Sequence, residues 1–146
     1  MTDDLHIDPT REAFESFKAL PRDEPIFMLN LVRYRERAQY PAEHPDAKRQ
    51  RSGAEAYAEY GRTSGPIFKR VGGKIVWRGE MEAMVIGPHK EHWDAVFIAH
   101  YPTAAAFLEM VTDVDYRQAV VHRQAAVLTS RLIRCRASGV GDGGFG

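Results

Sequence analysis

The chain has one cysteine, Cys135, in 146 residues. No disulfide can close within it, and a reducing cytoplasm is the expected compartment. Charge of one sign is not in excess either, since Lys plus Arg and Asp plus Glu come to 20 each. A chain without a positive balance lacks the electrostatic footprint of a nucleic-acid binder, and no K/R-G-F/Y-type segment is present to stack bases, so no nucleic-acid partner is expected. No apolar run approaches the ~20 residues that cross a bilayer, which excludes a helical membrane span. The opening MTDDLHIDPTREAF is acidic and lacks the apolar stretch of a secretory signal. No serine sits in a nucleophile elbow. His89 and His92 stand three apart in a polar turn with no third ligand in view, so no metal centre is expected. The glycines of GVGDGG, residues 139–144, follow no strand–helix unit and do not make a phosphate loop.

What is present is ordinary for a globular domain: 44% hydrophobic and 27% charged residues. The length fits one domain, residues 1–137, followed by a glycine-rich tail, 138–146, read as disordered. An extra N-terminal helix is expected at about 9–20, with Asp8 as cap, Pro9 at its first position and Phe14, Phe17 and Leu20 as its stripe. The first strand is PIFMLNLVR. Residues 34–52 are polar, carry prolines and show no period, so they form a long loop. SGAE at 52–55 is a capping box that opens a helix, which Pro66 should kink or end. KIVWRGEMEAMVIG and WDAVFIAHY read as two long strands joined by a short turn at 88–92. TAAAFLEMVTD and VDYRQAVVHRQAA are helices, the second capped by Asp113, and VLTSRLIRC is the last strand. The order is strand, helix, strand, strand, helix, strand. That is an α+β, ferredoxin-like βαββαβ chain with an antiparallel sheet and its helices on one face.

Asn30 interrupts an otherwise apolar strand. Side chains alternate along a strand, so Phe27, Leu29 and Leu31 share one face, and Ile26, Met28, Asn30 and Val32 share the other. In the third strand Trp93, Ala95, Phe97, Ala99 and Tyr101 are wholly apolar, against a mixed set with Val96, Ile98 and His100. Placing the purely apolar sets under the helices leaves the mixed sets on the bare face of the sheet. A second copy would cover that apolar area, forming a homodimer in which Asn30 and His100 line an enclosed cavity.

The segments MLNLVRYR, AYAEYGR, VGGKIVWRG, HWDAVFIAHYPTAAAFLEM and DVDYRQAVVHRQAAVLTSRLI, over residues 25–134, resemble the DUF1330 family. The resemblance implies a dimeric α/β barrel, related to small monooxygenases, isomerases and dye-type peroxidases, and carries no catalytic set with it. The 34–52 loop and the N-terminal helix look longer than the family's usual core.

From the residues themselves, His100 and Asn30 are the candidate catalytic pair, with His100 an acid or base near neutral pH. Arg33 and Arg131 are candidate clamps for a substrate carboxylate. Ion pairing with Glu80, Glu82 or Asp94 is the competing reading for both. Tyr57, Tyr60, Trp77 and Tyr116 are candidate walls of an aromatic substrate pocket, against a role as plain core. His122 and Arg123 on the last helix are read as facing water, and Cys135 as an inert thiol. No cofactor is expected. Together these point to a protein that binds or converts a small, partly apolar, neutral or anionic molecule in a pocket beside the sheet. The alternative is a non-catalytic dimeric regulatory or stress-accessory module that meets its partner through loop 34–52.

Overall fold

A computed structural model describes residues 4–139. In chain order the elements are α1 (Arg11–Ala19), β1 (Ile26–Tyr34), α2 (Gly53–Arg70), β2 (Lys74–Gly79), β3 (Ala95–Tyr101), α3 (Ala104–Thr112), α4 (Val114–Ala126) and β4 (Val127–Cys135). The four strands form one antiparallel sheet in the order β2-β3-β1-β4. Local chemistry sets most helix starts. Ser52 and Glu55 bond each other's amides in the expected capping box, and Asp113 accepts from the amides of Asp115 and Tyr116 at the start of α4. The first helix begins after Thr10, not Asp8: the Thr10 hydroxyl accepts from Ala13 N at 3.0 Å.

Two expectations give way. Helix α2 runs unbroken through Pro66 to Arg70. Pro66 falls on the exposed side, where water can replace the lost amide, while the Thr63 and Ser64 hydroxyls donate to the carbonyls of Glu59 and Tyr60 just before it. Strand β2 ends at Gly79 instead of continuing to 87, and residues 80–94 form an irregular connection that includes the expected turn, where Glu91 N donates to Pro88 O at 3.1 Å. Val85 and Ile86 in that connection are almost wholly exposed, which removes the cross-strand packing that would have kept them in a strand. Loop 34–52 is a long loop as expected, held by bonds within itself and to α4: Arg37 bridges to Ser52, Arg51 pairs with Asp46 at 2.7 Å, and Gln39 N donates to Ala125 O at 2.9 Å. Of the glycine-rich tail, residues from 140 onward lie outside the described residues.

The strand register assigns the faces and inverts part of the expected arrangement. Ile26 pairs with Tyr101, Met28 with Ala99, Asn30 with Phe97 and Val32 with Ala95. Ile26, Met28, Val32, Ala99 and Tyr101 are all buried on the side that carries the helices, so β3 presents the expected set there and β1 the opposite one. Phe27, Leu29 and Leu31 of β1 lie on the bare side with Val96, Ile98 and His100. Alternation could not choose between two β1 sets that are almost equally apolar; packing against the helices did. One core joins Ile26, Met28, Ile67, Tyr101, Phe107, Met110 and Tyr116, and a smaller one joins Val32 to Ala56, Ala126 and Val127. The alanines in the second core let α2 and α4 approach each other closely.

Candidate functional site

Because α2 packs mainly on α4, it stands off the sheet and leaves a cleft of about 2120 Å³ between them. Its floor contains one row across all four strands: Arg78 on β2, Phe97 on β3, Asn30 on β1 and Leu132 on β4, each paired with its neighbour. Strands lie ~4.8 Å apart, so Arg78 and Asn30 flank Phe97 with backbones ~10 Å apart. Tyr57 and Tyr60 of α2 face this floor, and Phe14 and Phe17 of α1 close one end. Residues before α1 run beside β4 and secure that end. Ser130 N donates to His6 O at 2.7 Å, and the Arg123 guanidinium donates to Ile7 O and, at 3.1 Å, to Ser130 Oγ.

Several polar groups in this apolar cleft are left unspent by the protein. Asn30 uses one N–H on Met28 O at 3.0 Å, which leaves its carbonyl oxygen and second N–H free. The Tyr57 hydroxyl and the Arg78 guanidinium make no hydrogen bond or ion pair among the described residues. Tyr60 is bonded to Tyr116 through the hydroxyls at 2.8 Å. The phenols are held well above their ordinary range. Burial is the main cause for Tyr57, helped by Tyr60 and opposed by Arg123 and Arg78. For Tyr34 burial comes first and Asp94 second, again opposed by Arg78. Tyr60 and Tyr116 are raised by burial too. These phenols therefore stay protonated and act as donors at neutral pH. The carboxylate of Asp94 is already engaged, accepting from Tyr34 N at 2.8 Å and lying 3.2 Å from His92 Nε2. The lining also carries Asp8 and Glu80, but its arginines and lysines outnumber its carboxylates, so the cleft offers cations and phenol donors, which suits recognition of an anion.

The structure brings together some of the sequence candidates and separates others. Asn30, Tyr57, Tyr60 and Tyr116 line the cleft, and Arg131 reaches its rim. Arg131 stands opposite Leu31, with its guanidinium 5.4 Å from the Trp93 ring and 2.8 Å from Ser130 O. His100 is on the other face of the sheet, its ring 4.8 Å from that of Phe27, so it shares no cavity with Asn30 within the protomer. Arg33 and Trp77 also belong to the bare face: Arg33 is one residue on from Val32, and Trp77 pairs with Ile98. The expected Asn30–His100 pair fails because the β1 face was assigned the wrong way round. Sequence reasoning passed over Arg78 because a bulge between Ile75 and Trp77 changes the alternation there and turns Arg78 to the cleft side. A tryptophan and arginine before Gly79 in an edge strand were the available signal. His122 and Arg123, read as facing water, are buried and half-buried. Loop 34–52 covers the first, and the segment before α1 covers the second. Among the described residues no group of three or more His, Cys, Asp or Glu is placed to hold a metal. No helix among them is long and apolar enough to cross a membrane.

Comparison with known proteins gives relatives of the same shape. The model of a family described as a domain of unknown function, DUF1330, matches residues 47–134. The crystal structure of RPA0582, a protein of unknown function from Rhodopseudomonas palustris, is 58% identical, with a TM-score of 0.85, over 94% of this chain and all (100%) of that one. A crystal structure of the methylated RPA0582 protein is 57% identical, with a TM-score of 0.85, over 95% of this chain and 98% of that one. No curated protein matches the chain.

Proposed function

The chain belongs to the DUF1330 family, and from that premise we propose that it binds a small, partly apolar, anionic molecule in the cleft between the sheet and α2. The Arg78 guanidinium receives the anionic group, and Phe97, Leu132 and Tyr60 contact the apolar body. Asn30 and Tyr57 orient a carbonyl or hydroxyl. The observation that carries this reading is the row Arg78–Phe97–Asn30 beneath Tyr57, in which a cation, a phenol O–H and an amide carbonyl have no protein partner among the described residues. These groups keep contact with solvent, Arg78 most of all, and a ligand bearing the complementary groups exchanges that water for direct, charge-assisted bonds.

The strand order β2-β3-β1-β4 supports a ferredoxin-like reading of the fold. The bare face supports pairing with a second copy as a dimeric α/β barrel. It carries Phe27, Leu29, Leu31, Val96 and Ile98, all partly exposed, at its centre and the exposed Trp77 and Ile133 at its edges, a contiguous apolar patch of the kind that marks an interaction surface. His100 and Arg33 would then lie in the sheet-to-sheet interface, apart from the ligand.

The test is a thermal-shift panel of aromatic and aliphatic carboxylates against their neutral amides. A ligand at about a hundred times its Kd stabilises the native state by ~2.7 kcal/mol. At ~2–4 °C per kcal/mol for a domain of this size, that is a rise of about 5–10 °C. A carboxylate should produce it and its amide should not. Arg78→Gln should abolish the difference, and Asn30→Ala and Tyr57→Phe should reduce the response. A panel in which no carboxylate stabilises the protein, or in which Arg78→Gln responds as the parent does, would sink the reading.

A further inference from the structure

The outer side of the α2–α4 pair carries a second depression, about 460 Å³ in volume, lined by His44, Arg62, Thr63, Asp115, Gln118 and His122. None of these residues belongs to the cleft. Loop 34–52 builds one wall, and its bonds determine how the two imidazoles present themselves. The Tyr40 hydroxyl accepts from Arg51 Nη1 at 3.3 Å and lies 2.6 Å from His122 Nδ1, with Asp46 Oδ2 3.9 Å from the same nitrogen, and we assign the phenol proton to the bond with the imidazole. Neutral His122 therefore carries its proton on Nε2. His44 is set in the same way, because its Nδ1 accepts from Asp46 N at 3.0 Å. The two rings stand nearly perpendicular at 83°, with centroids 5.7 Å apart. His122 is only 8% exposed, yet its Nε2 has no partner among the described residues.

The remaining lining groups add a guanidinium donor and one carboxylate. Arg62 uses Nε and Nη2 on Glu59, which leaves Nη1 free. The Thr63 hydroxyl donates to Glu59 O and can accept in turn. Asp115, the one carboxylate in the lining, only accepts when ionised. Two imidazole N–H groups and a guanidinium attract an oxyanion, while Asp115 repels one that is fully ionised and accepts from one that still carries an O–H. The geometry points to a second binding site here, separate from the cleft, for a small oxyanion that keeps a proton at neutral pH, of the hydrogenphosphate class. Burial keeps His122 below the ordinary histidine range, against the pull of Asp46 and Glu59 and with Arg51 and His44 adding to the lowering, so the neutral donor form is the one presented.

The test uses the full chain with labelled histidines and follows the imidazole resonances during titration with inorganic phosphate, and separately with sulfate, at constant ionic strength. Phosphate should shift the His44 and His122 ring signals saturably, with a Kd of about 1 mM or tighter. Sulfate, which has no proton left to give Asp115 at neutral pH, should bind at least about tenfold more weakly. His122→Asn and His44→Asn each keep an oxygen where Nδ1 accepts and remove the Nε2–H. Each should weaken phosphate binding by about tenfold or more, read at the histidine that remains. The two variants are independent, so failure of one to fold leaves the other as the test. Equal response to sulfate and phosphate, no saturable shift with phosphate, or parent-like binding in a folded variant overturns the assignment.

Discussion

Gly53 is the first residue of α2, and a methyl group added there should destabilise the fold although alanine is the better helix former. An ideal Cβ at this position would stand 1.9 Å from the carbonyl oxygen of Arg35 and 2.9 Å from that of Ala126. Both are backbone atoms, so no side chain can swing away. Separating them breaks or lengthens two bonds that seat the start of loop 34–52, Arg35 N to Ala126 O at 2.8 Å and Gly53 N to Glu36 O at 3.3 Å. Overpacking of this kind costs ~1–3 kcal/mol, and the two bonds add ~1 kcal/mol each. Helix propensity returns ~1 kcal/mol. The net is a loss of about 2–4 kcal/mol, or about 4–16 °C in Tm at ~2–4 °C per kcal/mol. Gly61→Ala, one helix face away, is the internal control: nothing lies within 4 Å of its Cβ, so the same change should stabilise by up to ~1 kcal/mol. Chemical denaturation of both variants, with m-values compared, measures the pair. If Gly53→Ala matches the parent, or if Gly61→Ala loses as much as Gly53→Ala does, the close approach of α2 to residues 35 and 126 is not what holds this corner.

Other outcomes follow from the same contacts. Tyr40→Phe removes the donor to a buried imidazole nitrogen and the acceptor of Arg51. It should cost about 1–3 kcal/mol in denaturant unfolding, and a neutral result would show that the loop is held elsewhere. His122 has a folded-state pKa below the unfolded value of 6.5, chiefly through burial. The unfolded chain therefore takes up a proton first as pH falls, so stability is lost from about pH 6.5 down to the folded pKa and is fully present above that window. His122→Asn should flatten that part of the stability–pH curve, and an unchanged slope would contradict the neutral, buried state. Asp46 has a depressed pKa from its hydrogen bond with Arg51, and its contribution is lost only further down, as pH falls from 3.8 toward its folded pKa. Ile98→Glu places a charge at the centre of the bare face, between Trp77 and Leu29. If a second copy covers that face, sedimentation should show dimer for the parent and monomer for the variant, and a dimeric variant would place the interface elsewhere.

Much of the architecture is written in short-range chemistry. The Ser52–Glu55 box, the Asp113 cap and the wholly apolar alternate set of β3 each specify an element through neighbours a few residues away, and each stands where the residues place it. Spacing left Tyr57, Tyr60, Trp77 and Tyr116 open between pocket wall and plain core; the three tyrosines border the cleft, Tyr116 as part of the core as well, while Trp77 stands on the bare face. Family membership was legible too, because it is a property of the ordered residues and needs no geometry.

Other features depend on which elements meet, and no local pattern contains that. Two β1 faces of nearly equal hydropathy are indistinguishable by alternation, and only the pairing of Met28 with Ala99 and Asn30 with Phe97 beneath the helices chose between them, parting Asn30 from His100. A bulge of one residue decided that Arg78 shares the cleft with Asn30. Residues distant in the chain, Tyr40 and His122, became one hydrogen-bonded unit through the folding of a loop with no period to read. Periodicity and capping act over a turn or a pleat, so the amino-acid order determined the elements by itself. Register, standoff and loop closure come from long-range packing, so only the tertiary structure could decide what faces the ligand.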